Sequence, residues 1–220
     1  MFKRLNDIPL VEFVYQRCLL SKMADLVCVI TSEDTSDDDL YEFCRRRGIE
    51  VFRGSLADVL GRYIQAAEAY DIDIVCRVCG DSPFVDIGLI DTLFQSIESE
   101  TLDYIAPDRK RCVAGLDSEV VTLDALKVCM RNCTSGDEHE HVTLYIKNNE
   151  ARFKMKYIDP ALRPPGMEKL VLTIDYPEDL VLCNKIMEQA GGGFNFTSSD
   201  IFRTVSGDKS LLEINHVKRN

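Results

Sequence analysis

The chain has 220 residues, of which 45% are hydrophobic and 29% charged, and these values exclude a disordered protein. The length suits one large domain, and we expect a single domain over residues 1–220. The formal net charge is −11 and no basic stripe is present, which argues against nucleic acid as a partner. An acidic protein that binds an anionic ligand needs local basic residues, and a metal ion would offset the same repulsion.

The sequence also restricts the compartment of the protein. No apolar run approaches the ~18 residues that cross a bilayer, and residues 1–7 lack the apolar stretch of a signal peptide. We therefore expect a cytoplasmic protein without a membrane partner. The nine cysteines are scattered and odd in number, which favours reduced thiols that fill the core. Cys76 and Cys79 lie in a predicted strand, where residues three apart face opposite sides and do not chelate one metal.

The first half of the chain alternates between strand and helix patterns. A first helix is predicted to begin near Pro9. Short apolar runs predict buried strands at 26–31, 49–52, 72–78 and 102–106. Helices are predicted between them, from the Ser36 cap to Gly48, over 57–70 and over 89–97. This alternation indicates an α/β protein with a wound sheet.

The second half of the chain is less regular between residues 107 and 163. There we predict a strand over 115–121, helices over 124–133 and 138–149, and a strand over 153–157. We interpret the irregular region as an acceptor pocket or a dimer surface. A further strand over 170–175 precedes a helix that starts at Pro177, and Ser198 caps a last short helix.

Two aspartates follow predicted strands, and each stands two residues before a proline. Asp81 comes after the 72–78 run, and Asp175 ends the 170–175 run. Ligands of open α/β sheets bind at the carboxyl ends of the strands, so two acids there indicate a Mg²⁺ site that holds a phosphorylated substrate. Each aspartate alone also has a simpler interpretation, because aspartate is common in turns, as at Asp81, and at the starts of helices, as at Asp175.

Basic residues near this edge are candidates for phosphate contacts. Arg53, Arg62 and Arg77 are the three in question, and Arg62 also suits a solvated helix face. Arg77 lies inside a strand, where an unpaired charge is costly, so it needs an anionic partner from the protein or a ligand. His139 and His141 are two residues apart and do not share a helix face, which argues against a metal pair. His141 suits a structural or substrate-contacting role, and spacing alone indicates no Cys–His arrangement. No glycine-rich phosphate loop is present.

Several motifs occur in one order along nearly the whole chain. They are RGSLADVLGRY at 53–63, RVCGDSP at 77–83, GLDSE at 115–119, EHVT at 140–143, LTIDYPED at 172–179 and EIN at 213–215. Together they resemble the spore-coat-polysaccharide type of cytidylyltransferase, which is related to the synthetases of CMP-KDO and CMP-neuraminate. The resemblance implies an α/β/α three-layer sandwich with a mainly parallel mixed sheet, the nucleotide-diphosphosugar-transferase (glycosyltransferase A-like) fold.

The resemblance also implies an activity and a set of site residues. The activity is Mg²⁺-dependent transfer of CMP from CTP to a sugar or sugar acid with release of pyrophosphate, by a protein that is a possible homodimer. Asp81 and Asp175 match the metal ligands of the family. The resemblance further implies catalytic roles for Lys3, Arg62 and Arg77, nucleotide contacts for Lys3, Gly80 and Ser82, and substrate contacts for Asp117, Glu119 and His141.

One departure from the family concerns the first residues. Members of the family open with a strand and a nucleotide-wrapping loop that ends Leu-Pro-Gly-Lys, and Lys3 aligns with that final lysine. We therefore expect a sheet with one unfilled position and fewer backbone donors for the nucleotide. The alternative to an enzyme is a non-catalytic homologue that binds nucleotide or sugar or assists assembly. A glycosyltransferase of the same fold is the least favoured alternative. Such an enzyme is expected to have an Asp-x-Asp metal motif at this place, whereas here Ser82 and Pro83 follow Asp81.

Overall fold

The computed structural model describes residues 1–215, and their strands form three sheets. Strands β1 (Arg4–Leu5) and β2 (Ile8–Pro9) form a small antiparallel ribbon, and β3 (Val29–Ser32) and β4 (Val51–Gly54) form a parallel pair. The main sheet has the order β5-β7-β6-β8, with β5 (Ile74–Arg77), β6 (Tyr104–Pro107), β7 (Glu119–Thr122) and β8 (Met155–Ile158).

The main sheet is mixed, as predicted. Strand β7 runs antiparallel to its neighbours β5 and β6, and β6 pairs with β8 in parallel. Within the described residues, β5 pairs only with β7 and β3 only with β4, so each has one unpaired edge.

Nine α-helices accompany the sheets within residues 1–215. They are α1 (Leu10–Cys18), α2 (Asp38–Arg47), α3 (Val59–Ala69), α4 (Ile87–Glu100), α5 (Leu123–Asn132), α6 (Gly136–Glu140), α7 (Leu144–Asn148), α8 (Pro177–Gln189) and α9 (Ser198–Gly207). Local sequence fixes their ends. The Asp58 carboxylate accepts from Gly61 N at 2.9 Å to start α3, the Asp86 carboxylate accepts from Leu89 N at 2.7 Å to start α4, and Gly48 ends α2 at a φ of +66°.

Helices cover both faces of the main sheet, which produces the predicted three layers. Leu89, Leu93 and Ile97 of α4 pack against one face of β6 and β7. Residues of α3, α5 and α7 pack against the other face around the buried Tyr104 and Val121. A separate apolar cluster joins α1, α8 and α9, and a small one joins α1 and α2 to the β3–β4 pair.

A buried arginine joins α1 to two distant segments. Arg17 is 2% exposed and donates to the carbonyl oxygens of Val85, Phe194 and Phe196 at 2.5–2.9 Å. Its guanidinium also lies 3.9 Å from the centroid of the Phe196 ring. Burial lowers the pKa of Arg17 to about 10, which still leaves it protonated at neutral pH. The three hydrogen bonds to backbone oxygens therefore come from a positively charged group, and charge-assisted hydrogen bonds of this kind are strong.

Several predicted elements differ from the structure. The strand predicted over 26–31 begins later, at Val29, and its apolar residues Val29 and Ile30 are only half-buried because β3 is an edge strand. The helix predicted over 138–149 is broken into α6 and α7, because Val142 adopts a φ of +22°. The helix predicted to start at a Ser36 cap begins at Asp38 instead, after a short 3-10 helix over Thr35–Asp37 that is capped by the side chain of Asp34.

The largest difference concerns residues 170–175, which were predicted as a strand. They form an extended segment with one bridge, between Val171 and Ala114, and pair with no strand of the main sheet. Two backbone hydrogen bonds join this segment to loops: Leu172 N donates to Ala114 O at 2.9 Å, and Ile174 N donates to Asp81 O at 2.9 Å. The apolar pattern therefore reports burial of this segment rather than membership of the sheet.

Candidate active site

The turn after β5 carries the first predicted acid. Ser82 N donates to Cys79 O at 3.1 Å, which closes the turn around Asp81. The hydroxyl of Ser82, a residue that is 4% exposed, donates to Asp81 Oδ1 at 2.9 Å. Asp81 itself is half-buried. The buried serine therefore orients the carboxylate toward the open side of the sheet edge.

The second predicted acid lies on the adjoining segment. The hydrogen bond from Ile174 N to Asp81 O joins the two chain segments directly before Asp175. The Thr173 hydroxyl donates to Asp175 Oδ2 at 3.0 Å. The buried Asp179 accepts from the backbone of Asp175 and Tyr176 at 3.0 and 2.8 Å, and so fixes this backbone to the start of α8. The structure thus joins the turn of Asp81 to the segment that carries Asp175.

A glycine permits the close contact between the 170–175 segment and the loop before β7. Gly115 has a φ of +93°, and a Cβ atom there would lie 2.6 Å from the backbone carbon of Leu172. Any side chain would therefore push the two segments apart, and the left-handed backbone would add strain. Asp117 stabilises the same loop, because its Oδ1 accepts from Gly115 N at 3.1 Å.

A cleft of about 390 Å³ opens between these segments and the end of β5. Three arginines and three acids line it. The lining includes Arg77, Asp81, Ser82, Arg109, Asp117, Glu119, Arg163 and Thr173. A cavity that holds several guanidinium groups beside a carboxylate pair suits a polyanionic ligand together with a cation.

Glu119 is the centre of a charged network in the wall of the cleft. Its side chain is 6% exposed, and it accepts from the Thr143 hydroxyl at 2.6 Å and forms an ion pair with Lys147. Arg109 and Arg77 lie 3.6 and 4.0 Å from its carboxylate oxygens. Arg77 and Glu119 face each other across the β5–β7 ladder. The prediction that Arg77 needs an anionic partner is therefore confirmed.

The surroundings of Glu119 control its ionisation. Burial alone would raise its pKa, but the positive charge of Lys147 and hydrogen bonds from Lys147 and Thr143, together with Arg77, outweigh burial and hold the pKa below the ordinary value. Glu119 is thus a carboxylate at neutral pH. A buried anion that is compensated by several cations gives the cleft a rigid wall.

A second cavity of about 410 Å³ adjoins the first and shares Arg109, Asp117 and Glu119 with it. Tyr104 and Tyr157 line it, with their ring centroids 6.3 Å apart at an edge-to-face angle of 79°. The other lining residues are the end of β6 and nearby polar side chains, namely Ala106, Pro107, Asp108, Lys110 and Lys147. Aromatic faces with both signs of charge at the rim suit a polar, ring-shaped ligand.

The structure brings five of the predicted site residues together. Arg77, Asp81, Ser82, Asp117 and Glu119 all line the first cleft. Asp175 is exposed and lies two residues after Thr173, which also lines the cleft. The placement of these residues agrees with the predicted site, while their individual roles stay predictions.

The other predicted residues lie around this site. Arg62 packs its aliphatic stem close to Gly54, at the carboxyl end of β4, and its Nε atom is buried. Lys3 is exposed and its carbonyl accepts from Leu10 N at 2.8 Å. A Cβ at Gly80 would lie 2.6 Å from Met1 Cε, so Gly80 allows the first residue to reach the turn. His141 is exposed and outside the linings of the two cavities.

Sequence reasoning missed four residues of the site. Arg109 and Arg163 line the first cleft, and Thr143 and Lys147 hold Glu119. A signal for Arg109 was present, since a basic run follows directly after the predicted strand that ends at 106. Lys147 gave no signal, because a lysine on an amphipathic helix is ordinarily a solvated residue.

The donor set fits a metal ion that is shared with a substrate. Within residues 1–215, no group of three or more His, Cys, Asp and Glu side chains is placed to hold a metal unaided. Asp81 and Asp175 nevertheless lie on adjoining segments beside the cleft. Mg²⁺ is commonly held by one or two carboxylates together with substrate phosphates and water. A cation bound by this pair and by phosphate oxygens agrees with both observations.

A mixed sheet between helical layers, with acids and arginines at one edge, defines an α/β nucleotidyltransferase fold. A sequence model of the cytidylyltransferase family matches residues 1–198. The chain belongs to this cytidylyltransferase family and is a nucleotidyltransferase. The predicted family and fold class are therefore confirmed.

Two curated relatives cover most of the chain. The chain is 36% identical over 219 residues to an uncharacterised protein of Methanocaldococcus jannaschii, a match that covers 99% of this chain and 86% of the relative. It is 33% identical over 205 residues to the spore coat polysaccharide biosynthesis protein SpsF of Bacillus subtilis, covering 90% of this chain and 81% of the relative.

Solved structures show the same fold. A cytidylyltransferase from Leptospira borgpetersenii superposes with a TM-score of 0.87 at 27% identity, covering 97% of this chain and 89% of the other. A CMP-2-keto-3-deoxy-manno-octonic acid synthetase solved with CTP superposes with a TM-score of 0.66 at 15% identity, covering 86% and 91%. Separately, no helix within the described part of the chain is long and apolar enough to span a bilayer.

Proposed function

We propose that this protein transfers CMP from CTP to a sugar or sugar acid and releases pyrophosphate. The observation that carries the proposal is the joining of the Asp81 turn to the segment of Asp175 beside an arginine-lined cleft. In this reaction a hydroxyl of the acceptor attacks the α-phosphorus of CTP. A new oxygen–phosphorus bond forms, the bond between the α-phosphorus and its bridging oxygen breaks, and pyrophosphate leaves while the hydroxyl proton is released.

The two cavities divide the substrates. The first cleft, with Arg77 and Arg163, receives the triphosphate, because one guanidinium group can donate two parallel hydrogen bonds to phosphate oxygens. The second cavity, with Tyr104 and Tyr157, receives the acceptor, whose ring packs against aromatic surface. The shared wall at Glu119 and Arg109 stands between the two ligands. Its rigidity holds the attacking hydroxyl near the α-phosphorus, and this positioning of the two reacting groups raises the rate of transfer.

Asp81 and Asp175 would hold Mg²⁺, the proposed cofactor, with Ser82 orienting the carboxylate of Asp81. When bound, Mg²⁺ neutralises charge on the phosphates and on the leaving pyrophosphate. Arg77 and Arg109 lie 4.0 and 3.6 Å from the Glu119 carboxylate and supply further positive charge at the same place. Preorganised charge of this kind acts in the transition state at no cost of reorganisation.

The biological role that we propose is the activation of a sugar for polysaccharide or glycan synthesis. The name of the similar Bacillus subtilis protein supports this role, since that protein takes part in spore coat polysaccharide biosynthesis. A curated 3-deoxy-manno-octulosonate cytidylyltransferase of Christiangramia forsetii, 23% identical over 226 residues, supports a sugar acid as one class of acceptor. We further propose a cytoplasmic protein that forms a homodimer.

The test is the thermal stability of the purified chain with CTP, ATP, GTP and UTP, each with and without Mg²⁺. We expect a Mg²⁺-dependent rise of the melting temperature with CTP, because a ligand that binds the folded state stabilises it. Pyrophosphate release with a panel of sugars and sugar acids then identifies the acceptor. A folded protein whose melting temperature no nucleotide changes would contradict the proposal and favour a non-catalytic homologue.

A further inference from the structure

Away from the cleft, one histidine lies between a thiol and a carboxylate. His139 Nε2 is 3.2 Å from the Sγ atom of Cys133, and His139 Nδ1 is 2.8 Å from Asp58 Oδ1. The histidine and aspartate side chains are 31% and 35% exposed, and Cys133 is half-buried, so reagents can reach the group. None of the three residues lines either cavity.

Three separate elements hold this arrangement in place. Asp58 is the N-cap of α3, and the same Oδ1 atom that contacts His139 also accepts from Gly61 N at 2.9 Å. Cys133 is the C-cap of α5, where its backbone N–H donates to Cys129 O at 2.7 Å. His139 lies on α6, whose first turn is fixed by a capping box between Ser135 and Glu138. The group is therefore part of the packed structure rather than a chance surface contact.

The geometry assigns a different task to each ring nitrogen. A carboxylate accepts only, so the ring donates from Nδ1 to Asp58 and leaves Nε2 as the acceptor for the thiol proton. The two nitrogens point away from each other, so sulfur and carboxylate do not share one metal ion with the ring. A nucleophile, a base in hydrogen-bond reach and a third group that orients the base are the parts of nucleophilic side-chain catalysis.

Within residues 1–215, no histidine is hydrogen-bonded to any of the other half-buried cysteines. Cys28 is the best comparison, because it is also half-buried and its sulfur lies 4.0 Å from the hydroxyl of Tyr70. Burial raises the pKa of Cys28 to about 11. Burial and the nearby acids Glu138 and Asp58 also raise the pKa of Cys133, so few free thiolates form there. Reactivity at Cys133 therefore depends on removal of its proton by His139 as the sulfur attacks.

We propose that Cys133 is a nucleophilic thiol that His139 deprotonates, and that it is a site of modification by small disulfides. The sulfur of Cys133 attacks one sulfur of the disulfide, and its proton passes to His139 Nε2. A new sulfur–sulfur bond forms on Cys133, the bond of the incoming disulfide breaks, and the second half leaves as a thiolate that takes up a proton. The incoming disulfide is the oxidant, so the step needs no other reagent.

The test measures the rate at which each cysteine of the full chain reacts. The protein is treated at neutral pH with cystamine, a cationic disulfide that suits the acids near Cys133, and separately with the neutral reagent iodoacetamide. Modified positions are then quantified by peptide mass mapping. We expect Cys133 to react faster than Cys28 with both reagents by at least about tenfold, a threshold set below the roughly hundredfold or greater assistance that a general base typically gives.

Variants distinguish assistance by His139 from simple exposure. His139→Gln should slow the modification of Cys133 by at least about tenfold. His141→Gln is the matched control, because His141 is exposed two residues further on and should leave the rate unchanged. Asp58→Asn keeps an oxygen that can accept from Gly61 N and cap α3, so the fold is retained, yet it removes the charge that stabilises the protonated ring. We expect an intermediate rate for this variant.

Two results would overturn the proposal. One is a Cys133 that reacts no faster than Cys28 in the wild-type protein. The other is an unchanged rate of Cys133 modification in both His139→Gln and Asp58→Asn. The melting temperature of each variant is measured in parallel, and Asp58→Asn provides the deciding result where His139→Gln is destabilised.

Discussion

Glu119 is one acid of the cleft, Asp81 and Asp175 are a pair at its edge, and the structure holds the single acid and the pair in opposite ways. Glu119 is buried and contacts Thr143, Lys147 and two arginines. Asp81 is half-buried and lies on a turn, whereas Asp175 is exposed and lies on an extended segment. A backbone hydrogen bond joins this turn to this segment. Both groups line or adjoin the same cleft, but only the first is built into the main sheet.

This difference indicates a division of labour between framework and chemistry. A buried charge that is fully compensated resists movement, and its removal leaves the partner charges uncompensated. Carboxylates near solvent cost little to the fold and remain available for a ligand and a cation. Substitutions at Glu119 should therefore reduce stability first, and substitutions at Asp81 should reduce activity first.

The largest effect should follow from Asp81→Asn. We expect the rate of pyrophosphate release from CTP in the presence of acceptor to fall by a factor of at least about 100, because the variant loses one of two proposed metal ligands. The free energy of unfolding should change by less than about 0.5 kcal/mol. Asp25→Asn is the control, since Asp25 is an exposed acid between α1 and β3. Equal rates for both variants would contradict the role of Asp81.

The next effect concerns the framework. Glu119→Gln should lower the free energy of unfolding by about 3 kcal/mol, because Lys147 and the two arginines lose their buried counter-charge. Urea denaturation at pH 7 measures this change. A loss below that of an exposed acid such as Asp25→Asn would show that the network contributes nothing to the fold.

The effect of Glu119→Gln should depend on pH. Cations and hydrogen bonds hold the pKa of Glu119 below its ordinary value of 4.5, so the folded state binds this proton only at lower pH than the unfolded state does. Its contribution is thus fully present above 4.5 and is lost as the pH falls through the lower folded value. The stability difference between wild type and Glu119→Gln should narrow over that range, as measured by urea denaturation from pH 7 to 3. A constant difference would contradict the assignment.

A smaller effect should follow at Thr143, which is 1% exposed. Thr143→Val removes the hydroxyl that donates to the Glu119 carboxylate and keeps the shape, so we expect a loss of about 1.5 kcal/mol, typical of a hydrogen bond to a charged group. Thr143→Ser retains the hydroxyl and should lose less. Thermal or urea denaturation compares the two variants, and equal losses would mean that the hydroxyl is not the cause.

Local patterns in the sequence account for most of the fold. Apolar periodicity and caps predicted α3, α4 and α8, and the cost of a buried charge predicted a partner for Arg77. The same reasoning located Asp81 at the edge of the sheet. These features depend on neighbours along the chain or on a general cost of burial, so they can be derived without the structure.

The remaining features depend on contacts between distant residues. The sequence of residues 138–149 does not predict the break in the helix at Val142. This break places Thr143 against Glu119, which is 24 residues away in the chain. The 170–175 run has the composition of a strand, but it pairs with no strand of the main sheet. His139 meets Asp58 across 81 residues, a separation that spacing rules do not address. Site geometry of this kind becomes visible only in three dimensions.

The most direct test of the central claim is a calorimetric titration of CTP into wild type and Asp81→Asn, each with and without Mg²⁺. It requires no knowledge of the acceptor. We predict that Mg²⁺ tightens CTP binding to the wild type by at least about tenfold, or about 1.4 kcal/mol, and that Asp81→Asn loses this gain. An equal gain in both proteins would contradict a metal site at Asp81.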